Sequence, residues 1–345
     1  MQVVHLTGFG GPERLRVVDD APVPVPEAGE VLIRVGACGI NNTDVWTREG
    51  AYGDGEQAAW MGQAFRFPRI QGLDAVGRIV AVGADADRHR LGQRVMVNPC
   101  LYAGGGDGLQ GLQVVGSERD GGFAQFLCVP GENALAIRSP LCDAELATFM
   151  TPYMTAEHML RRAGVCAGER VLVTGASGGV GSALVQLALL RGAEVVAVCG
   201  QSKVSAVRAL GAHTVIAREQ GDYRASLQAQ GATASFEVVA DIVAGDQAAQ
   251  CLDLLGHGGR YVTAGAMAGP IVRVDWRVLY LRQLSLFGVT MGTAADAQAV
   301  VDHIEAGRLR PLLAGSFPLK DIARAQQVFA TRSHVGSWVL LPPGG

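Results

Sequence analysis

The stretch RVLVTGASGGVGSALVQLALLRGAEVVAVCG, residues 170–200, decides the fold of this chain. A short apolar strand leads into the glycine-rich turn GASGGVG (175–181), an amphipathic helix follows, and a second apolar strand closes the unit. Small residues in such a turn let backbone N–H groups approach a pyrophosphate, and the helix N-terminus adds partial positive charge. Glycine-rich turns are often only turns, but the flanking strand, helix and second strand favour nucleotide binding. The predicted contacts are Gly175, Ala176, Ser177, Gly178, Gly179, Val180 and Gly181.

The end of the second strand indicates which nucleotide binds. Proteins that bind NAD usually carry Asp or Glu about 20 residues into the motif, where the carboxylate accepts hydrogen bonds from the ribose. This chain has Cys199, Gly200 and Gln201 at that point, followed by Ser202 and Lys203. Because these residues include no carboxylate to repel a 2′-phosphate, we predict NADP(H), with Ser202 and Lys203 as phosphate ligands. The alternative is that Lys203 is a solvated residue in the first turn of a helix.

Outward from this unit, strands and helices alternate. Apolar segments predict strands at RVLVTG, EVVAVCG, TVIA, FEVVADI, RYVTAG and LSLFGV, with helices between most of them. Strand–helix alternation of this kind predicts a parallel, doubly wound sheet of the Rossmann type.

The flanking parts of the chain have a different pattern. EVLIRVGACGI, GRIVAVGADA and GQRVMVNP predict a strand-rich first half, and helical spacing begins near residue 145. After the α/β part, AADAQAVVDHIEAG and LKDIARAQQVFA predict helices and GSWVLL a closing strand. We therefore predict an α/β fold in which a Rossmann NADP(H)-binding domain, residues 129–289, is inserted into a β-rich domain, residues 1–128 and 290–345.

Composition excludes several classes of function. The 345 residues carry 29 Lys and Arg against 32 Asp and Glu, a net charge of −3 that argues against nucleic acid or an anionic membrane as a partner. No apolar run reaches the ~20 residues that span a bilayer, and MQVVHLTGFGG lacks the features of a signal peptide. The seven cysteines are dispersed without a C-x-x-C pair, which is typical of free thiols in a reducing compartment. We expect a cytoplasmic protein with a small-molecule substrate.

Over essentially its whole length the chain resembles the medium-chain dehydrogenase/reductase superfamily. The matching segments are GEVLIRV, GINNTDVW, FPRIQGLDAVGRIVAVG, RDGGFAQF, the glycine-rich turn, VRALGAHTVI and IARAQQVFATRSHVGSWVL. The resemblance implies a GroES-like catalytic domain split around the Rossmann domain, and a homodimer paired through the edge strand near LSLFGVT. It also implies that Thr155, Gly265 and Gly288 contribute to the coenzyme site.

Zinc-dependent members of this superfamily hold a catalytic zinc with three side chains. These are a Cys two residues before a Ser/Thr-Asp pair, a His in Gly-His-Glu, and a Cys or Asp that opens the Rossmann half. The corresponding positions here carry Asn41, Leu73 and Thr151. Leucine cannot ligate, and amide or hydroxyl oxygens suit zinc poorly. Cys38 lies three residues too early, and only Cys100 stands where such relatives carry a four-cysteine zinc lobe, so the resemblance implies that both zinc sites are missing.

Zinc-free members, the ζ-crystallin-like quinone oxidoreductases and related enoyl reductases, are similar around GINNTDVW. In those relatives the pocket orients a conjugated carbonyl near the nicotinamide, and hydrogen-bond donors replace the metal because the substrate is already activated. By that resemblance Asn41 and Thr43 hydrogen-bond the substrate or the nicotinamide ribose, while Trp46 and Tyr52 line the pocket. The alternatives are that Thr43 or Asp44 caps a helix and that Trp46 belongs to the core.

The resemblance therefore implies a zinc-independent, NADPH-dependent oxidoreductase that reduces a quinone or an α,β-unsaturated carbonyl by hydride transfer. A zinc-type alcohol dehydrogenase and a non-catalytic NADP(H)-binding protein are the alternatives. Between Gly50 and Pro68 the segment AYGDGEQAAWMGQAFRF is longer than in short quinone reductases. Its apolar residues are expected either to wall the substrate pocket or to cover a dimer face: Trp60, Met61, Phe65 and Phe67.

Overall fold

The computed structural model describes residues 1–52, 65–102 and 111–344. The strands in these ranges are, in chain order, β1 (Val3–Leu6), β2 (Leu15–Val18), β3 (Glu30–Gly39), β4 (Arg69–Ile70), β5 (Asp74–Val82), β6 (Arg94–Val97), β7 (Cys100–Leu101), β8 (Gln113–Val114), β9 (Phe126–Pro130), β10 (Ala134–Ala136), β11 (Arg170–Val173), β12 (Glu194–Cys199), β13 (Thr214–Ala217), β14 (Phe236–Asp241), β15 (Leu255–Thr263), β16 (Ser285–Gly288), β17 (Leu313–Pro318) and β18 (Ser337–Leu341). The helices are α1 (Asn42–Glu49), α2 (Asp143–Leu146), α3 (Met150–Arg162), α4 (Gly179–Leu190), α5 (Val204–Arg208), α6 (Tyr223–Ala229), α7 (Gln247–Asp253), α8 (Trp276–Leu281), α9 (Ala294–Glu305) and α10 (Ile322–Ala330).

The chain divides into two compact units. Unit one consists of Met1–Thr151 together with Thr293–Gly345, and unit two is Pro152–Gly292. Sequence alone placed the first division at residue 128. The structure places it later, because β9 pairs with β3 and β10 pairs with β6, which holds both strands in unit one.

Unit two is built on a six-stranded parallel sheet in the order β13-β12-β11-β14-β15-β16. Counted from β11, this is the 3-2-1-4-5-6 order of a Rossmann fold, with its switch point between β11 and β14. The strands are nearly continuous apolar runs because helices cover both faces of such a sheet. Helix α4 is buried at every residue from 181 to 188, so it is enclosed on all sides and is not the amphipathic helix that the sequence predicted. The six strands predicted from the sequence are confirmed.

Unit one is β-rich. Its main sheet has the order β10-β6-β5-β3-β18-β17, and β9 also pairs with β3. The C-terminal strand β18 runs antiparallel to β3, so the end of the chain completes the sheet that the first half begins. At the far end of β3, Gly39 lies opposite Asp74, the first residue of β5, and α1 starts three residues later. This corner of the sheet carries the candidate catalytic residues.

No helix in the described part of the chain combines the length and the apolarity needed to cross a membrane.

Candidate functional site

The start of α1 is fixed by its own side chains. Asn41 is the N-cap residue, and its backbone N–H donates to Oδ2 of Asp44 at 2.8 Å. Asp44 is 1% exposed, and burial raises the pKa of its carboxyl to about 8. A carboxyl oxygen three residues into a helix that accepts from the N-cap N–H stabilises the helix start. Asp44 therefore caps α1, as one of the alternatives from the sequence proposed.

A buried carboxylate, Asp74, connects two of the positions at which zinc-dependent relatives carry ligands. Its Oδ2 accepts from Nδ2 of Asn41 at 3.0 Å. Its Oδ1 accepts from the backbone N–H of Thr151 at 2.7 Å and from the Thr151 hydroxyl. Burial raises the pKa of Asp74 to about 6, and the hydrogen bonds from Asn41 and Thr151 act in the opposite direction. Sequence reasoning missed Asp74; the available signal was a carboxylate inside the apolar run GLDAVGRIV.

The side chains around Asp74 do not form a donor set suited to zinc. Leu73 offers no donor atom, and Asn41 and Thr151 are hydrogen-bonded to Asp74. Cys38 is fully buried in β3, and burial, reinforced by the nearby carboxylates, raises the pKa of its thiol, whereas zinc binds a thiolate. Across the described residues, no group of three or more His, Cys, Asp or Glu side chains is arranged to hold a metal ion.

The other three predicted catalytic residues lie together on and after α1. The hydroxyl of Tyr52 donates to Oγ1 of Thr43 at 3.0 Å. Burial raises the pKa of Tyr52 to about 12, so the phenol stays protonated at neutral pH. The rings of Trp46 and Tyr52 meet edge to face, with centroids 5.9 Å apart, and both side chains are half-buried. The arrangement combines two hydrogen-bonded hydroxyl groups, those of Tyr52 and Thr43, with an aromatic surface.

The described ends of the long segment after α1 pack within unit one. Phe65 and Phe67 both contact Phe9, with ring centroids 5.7 and 4.9 Å apart, and Phe65 is buried against Leu6. Trp60 and Met61 lie outside the described residues. The aromatic residues at the end of the segment therefore form a small core next to β1.

In unit two the glycine-rich turn has the geometry that a dinucleotide requires. Gly175 has a left-handed φ of +59°, and Gly178, the N-cap of α4, donates its N–H to the carbonyl of Gly175 at 3.0 Å. A Cβ on Gly181 would lie 2.1 Å from that same carbonyl oxygen. Only glycine lets the helix begin this close to the turn, which is the role of the third glycine in the dinucleotide fingerprint. The turn fits a pyrophosphate.

Most of the predicted coenzyme residues follow parallel strands. Gly175 follows β11, Ser202 and Lys203 follow β12, Gly265 follows β15, and Gly288 ends β16. Because the carboxyl ends of parallel strands share one edge of the sheet, these residues lie along the edge at which ligands bind in such folds. Thr155 does not follow a strand; it is a buried residue of α3.

A second network that the sequence did not reveal supports this edge. Asp241, the last residue of β14, is buried and accepts hydrogen bonds from the hydroxyls of Thr174 and Tyr261. It also accepts from the backbone N–H groups of Val243, at 2.8 Å, and Ala244. Ala244 has a left-handed φ of +53°, which is costly for a residue with a side chain. The carboxylate thus holds the turn after β14 in a strained form beside the switch point.

The turn after β12 also has a neighbour that the sequence did not reveal. Since β13 pairs with β12 in parallel, the residues that follow Cys199 and Ala217 lie side by side. Oε2 of Glu219 accepts the N–H of Gln201 at 2.9 Å, and Oε1 pairs with Arg218 at 3.3 Å. The sequence predicted no carboxylate at the end of β12, but the fold brings Glu219 there from the end of the neighbouring strand β13.

Comparison with known proteins identifies the family. Residues 27–139 match the alcohol dehydrogenase GroES-like domain, and residues 179–306 match a domain described as a zinc-binding dehydrogenase. The quinone oxidoreductase of Lama guanicoe is 30% identical over 99% of this chain and 97% of its own length. The chain belongs to the medium-chain dehydrogenase/reductase superfamily. The match to the second domain does not include Asn41, Leu73 or Thr151.

Solved structures of this superfamily share the whole fold. A candidate alcohol dehydrogenase from Sinorhizobium meliloti 1021 is 48% identical, with a TM-score of 0.94 over 99% of this chain and 96% of that one. The V350A variant of a crotonyl-CoA carboxylase/reductase, AntE, in complex with NADP is 25% identical, with a TM-score of 0.88 over 99% of this chain and 94% of that one. The GroES-like and Rossmann parts predicted from the sequence are confirmed. This member of the superfamily is an oxidoreductase that uses a nicotinamide coenzyme and a small-molecule substrate.

Proposed function

We propose that the protein is a zinc-independent, NADPH-dependent oxidoreductase that reduces a quinone or an α,β-unsaturated carbonyl compound. The observation that carries the proposal is the set of hydrogen bonds from Asn41 and Thr151 to Asp74. Two of the three positions at which relatives hold zinc are joined through this carboxylate, and the third is Leu73. A site of this composition favours substrates that need no metal to polarise their carbonyl group, as conjugated carbonyls and quinones do not.

The residues of unit one have distinct roles in this proposal. When bound, the reduced nicotinamide supplies a hydride to an electrophilic carbon of the substrate, and a proton completes the reduction. Thr43 accepts a hydrogen bond from Tyr52, which leaves its own hydroxyl proton available to a substrate oxygen. Asn41 uses one N–H of its amide on Asp74 and retains the second for the substrate. Both donors stabilise the negative charge that develops on the substrate oxygen.

The aromatic residues suit a planar substrate. The rings of Trp46 and Tyr52 offer apolar area with a polar tip on Tyr52. A quinone or an enone is flat and largely apolar, so it gains contact area on such rings. An aliphatic alcohol gains less contact area, and oxidising it would require stabilisation of an alkoxide, which a metal ion normally provides.

The test combines metal analysis with turnover. Protein purified without chelator should contain less than stoichiometric zinc, and activity with NADPH and a 1,4-quinone or an enone should survive chelation. The same preparation should oxidise ethanol or benzyl alcohol more slowly. Tightly held zinc whose removal abolishes activity would establish the alcohol dehydrogenase alternative, and NADPH binding without turnover of any substrate in the panel would establish the non-catalytic one.

The choice of NADPH rests on charge at the turn after β12. Lys203 and Arg218 provide two cations there, against the single carboxylate of Glu219. This net positive charge favours binding of a 2′-phosphate, which carries negative charge and three acceptor oxygens. Dissociation constants of NADPH and NADH for the wild-type protein test it directly, and a preference for NADH would refute it.

We further propose a homodimer formed through β16. This strand ends the sheet of unit two, and edge strands present unpaired backbone groups that a second copy can satisfy. Apolar side chains close to it in sequence are exposed: Trp276 by 72%, Leu281 by 66% and Leu286 by 47%. Light scattering should give twice the mass of one chain, and Trp276→Glu with Leu286→Glu should give monomers. A monomeric wild type, or a dimer unaffected by both substitutions, would contradict this interface.

The compartment proposed is the cytoplasm. All seven cysteines are free thiols, and Cys142 and Cys166 are exposed. Exposed thiols persist in the reduced form in a reducing compartment, whereas oxidising compartments convert them to disulfides. The state of these thiols in the native host, measured by alkylation directly after lysis, tests the assignment.

A further inference from the structure

Three charged side chains surround the backbone turn at the end of β12. Lys203 follows β12 itself, and Arg218 and Glu219 follow the neighbouring strand β13. The pairing of Cys199 with Ala217 in the parallel ladder brings the two turns together. This is the edge where the adenosine ribose binds in Rossmann folds, so the charges face the group that distinguishes NADPH from NADH.

Glu219 makes two contacts in this cluster. Its Oε2 accepts the N–H of Gln201 at 2.9 Å, and its Oε1 pairs with Nη2 of Arg218 at 3.3 Å. A Cβ on Gly200 would lie 3.5 Å from Oε1, so the carboxylate also lies alongside the Gly200 backbone. Glu219 thus engages a backbone donor and a cation that a phosphate would otherwise engage.

The charges in the cluster influence one another. Burial lowers the pKa of Lys203, and the positive charge of Arg218 lowers it further. Hydrogen bonds to backbone N–H groups, its own and that of Gln201, together with Arg218, hold the pKa of Glu219 below its usual value. Glu219 is therefore ionised at neutral pH, and the cluster carries two positive charges and one negative charge.

We propose that Glu219 determines coenzyme specificity by competing with the 2′-phosphate for Arg218 and for the N–H of Gln201. A 2′-hydroxyl can donate a hydrogen bond to the carboxylate where it stands, whereas a 2′-phosphate requires the carboxylate to move away. Glu219 therefore keeps the preference for NADPH smaller than Lys203 and Arg218 alone would make it. This inference rests on the proposed coenzyme site at the end of β12, and it adds the residue that sets the degree of discrimination.

The decisive variant is Glu219→Gln, which retains an acceptor oxygen but removes the charge. Dissociation constants are measured by calorimetry for NADPH and NADH, and for the fragments adenosine 2′,5′-bisphosphate (2′,5′-ADP) and 5′-AMP, which differ only in the 2′-phosphate. Removing one like charge close to a phosphate at the protein surface should tighten NADPH and 2′,5′-ADP about fivefold at low salt, and less at high salt because surface charges are screened. The dissociation constants of NADH and 5′-AMP should change less than about twofold, since neither carries the 2′-phosphate.

A matched control separates local from general charge effects. Asp253 ends α7 immediately before β15, so it lies at the amino-terminal edge of the parallel sheet, opposite the edge that carries Glu219. It is exposed, and Asp253→Asn makes the same change in net charge. This variant should leave the ratio of the NADPH and NADH dissociation constants unchanged. Arg218→Ala should weaken binding of 2′,5′-ADP selectively, because the 2′-phosphate would lose one of its two cations.

The outcomes distinguish this inference from the proposed function. A wild-type preference for NADH refutes NADPH dependence, yet a Glu219→Gln shift of the ratio toward NADPH would still support the competing role. A wild-type preference for NADPH with a ratio unaltered by Glu219→Gln overturns the inference alone. The inference would also be overturned if Glu219→Gln bound both coenzymes more tightly by the same factor, or if it bound 2′,5′-ADP more weakly than the wild-type protein.

Discussion

Replacing Asp74 by asparagine tests whether this carboxylate orients Asn41. The substituted side chain retains the oxygen that accepts from the backbone N–H and the hydroxyl of Thr151, so the contacts to Thr151 persist. The other oxygen becomes an amide NH₂ that faces Nδ2 of Asn41, currently 3.0 Å from the carboxylate. Two donors then meet, and either the hydrogen bond is lost or the amide of Asn41 turns over to present its oxygen. In both cases the group that Asn41 offers to a substrate changes.

The expected magnitudes follow from these contacts. A hydrogen bond to a charged group contributes about 1.5–3 kcal/mol, but a buried carboxylate also carries a desolvation cost that the neutral amide avoids. We therefore expect the free energy of unfolding to fall by only about 1 kcal/mol. Misplacing a hydrogen-bond donor in an active site reduces turnover much more, by roughly 10- to 100-fold. Asp74→Asn should accordingly lower kcat/KM for a quinone by roughly 10- to 100-fold. The variant should remain folded.

A double-mutant cycle shows whether Asp74 acts through Asn41. The variants Asn41→Ala, Asp74→Asn and their combination are assayed with NADPH and a 1,4-quinone, and urea denaturation is followed in parallel. If Asp74 positions Asn41, Asp74→Asn should have little further effect on kcat/KM in the Asn41→Ala background. The exposed Asp20→Asn serves as a control for loss of one negative charge. An unchanged kcat/KM in Asp74→Asn, or the same loss in both backgrounds, would refute a positioning role.

Three further predictions concern other parts of the molecule. Lys203→Ala should weaken binding of NADPH about tenfold and leave binding of NADH nearly unchanged, because a charge-assisted hydrogen bond to the 2′-phosphate is lost at a partly solvated edge. The control is Lys320→Ala, which removes an exposed lysine in unit one. Equal weakening of both coenzymes would show that Lys203 is only a surface lysine. Thr43→Val should lower kcat/KM for a quinone roughly 10- to 100-fold and Tyr52→Phe by a smaller factor, since Tyr52 acts through Thr43; a larger effect of Tyr52→Phe would reverse these roles. The pKa of Asp44 is raised to about 8 in the folded protein, so its protonated form is favoured by folding and its contribution to stability is lost as pH rises from about 4 to about 8, by at most about 1.4 kcal/mol per pH unit; Asp44→Asn should flatten the dependence of unfolding free energy on pH in this window, and an unaltered profile would contradict the raised pKa.

Much of the fold could be predicted because its signals are local. The strand, glycine-rich turn and helix around Gly175 lie within one short stretch, and each apolar strand of unit two has its own turn residues. Parallel strands then force their carboxyl ends to one edge, which is why the residues after β11, β12, β15 and β16 could be assigned to a common site. The boundary between the units was less predictable, because it depends on which distant strand β9 and β10 pair with.

The resemblance of the motifs was needed to find Asn41, Thr43, Trp46 and Tyr52, and local sequence could not describe their environment. Thr43 and Tyr52 are nine residues apart, close enough for the loop after α1 to bring them together. The long segment that begins at Ala51 and includes Tyr52 has no counterpart in the motifs, and its aromatic end packs against Phe9 near the start of the chain.

The sequence by itself determined the Rossmann unit and the superfamily, because each depends on residue types within short segments. Only the tertiary structure placed Asp74 between Asn41 and Thr151, which are 110 positions apart in a chain of 345 residues. It alone brought Glu219 from the third strand of unit two to the N–H that follows the second. A carboxylate acts over a few ångströms, whereas sequence patterns report only on near neighbours along the chain. The charges that would tune this site are therefore set by strand pairing, which brings together residues that are remote in the sequence.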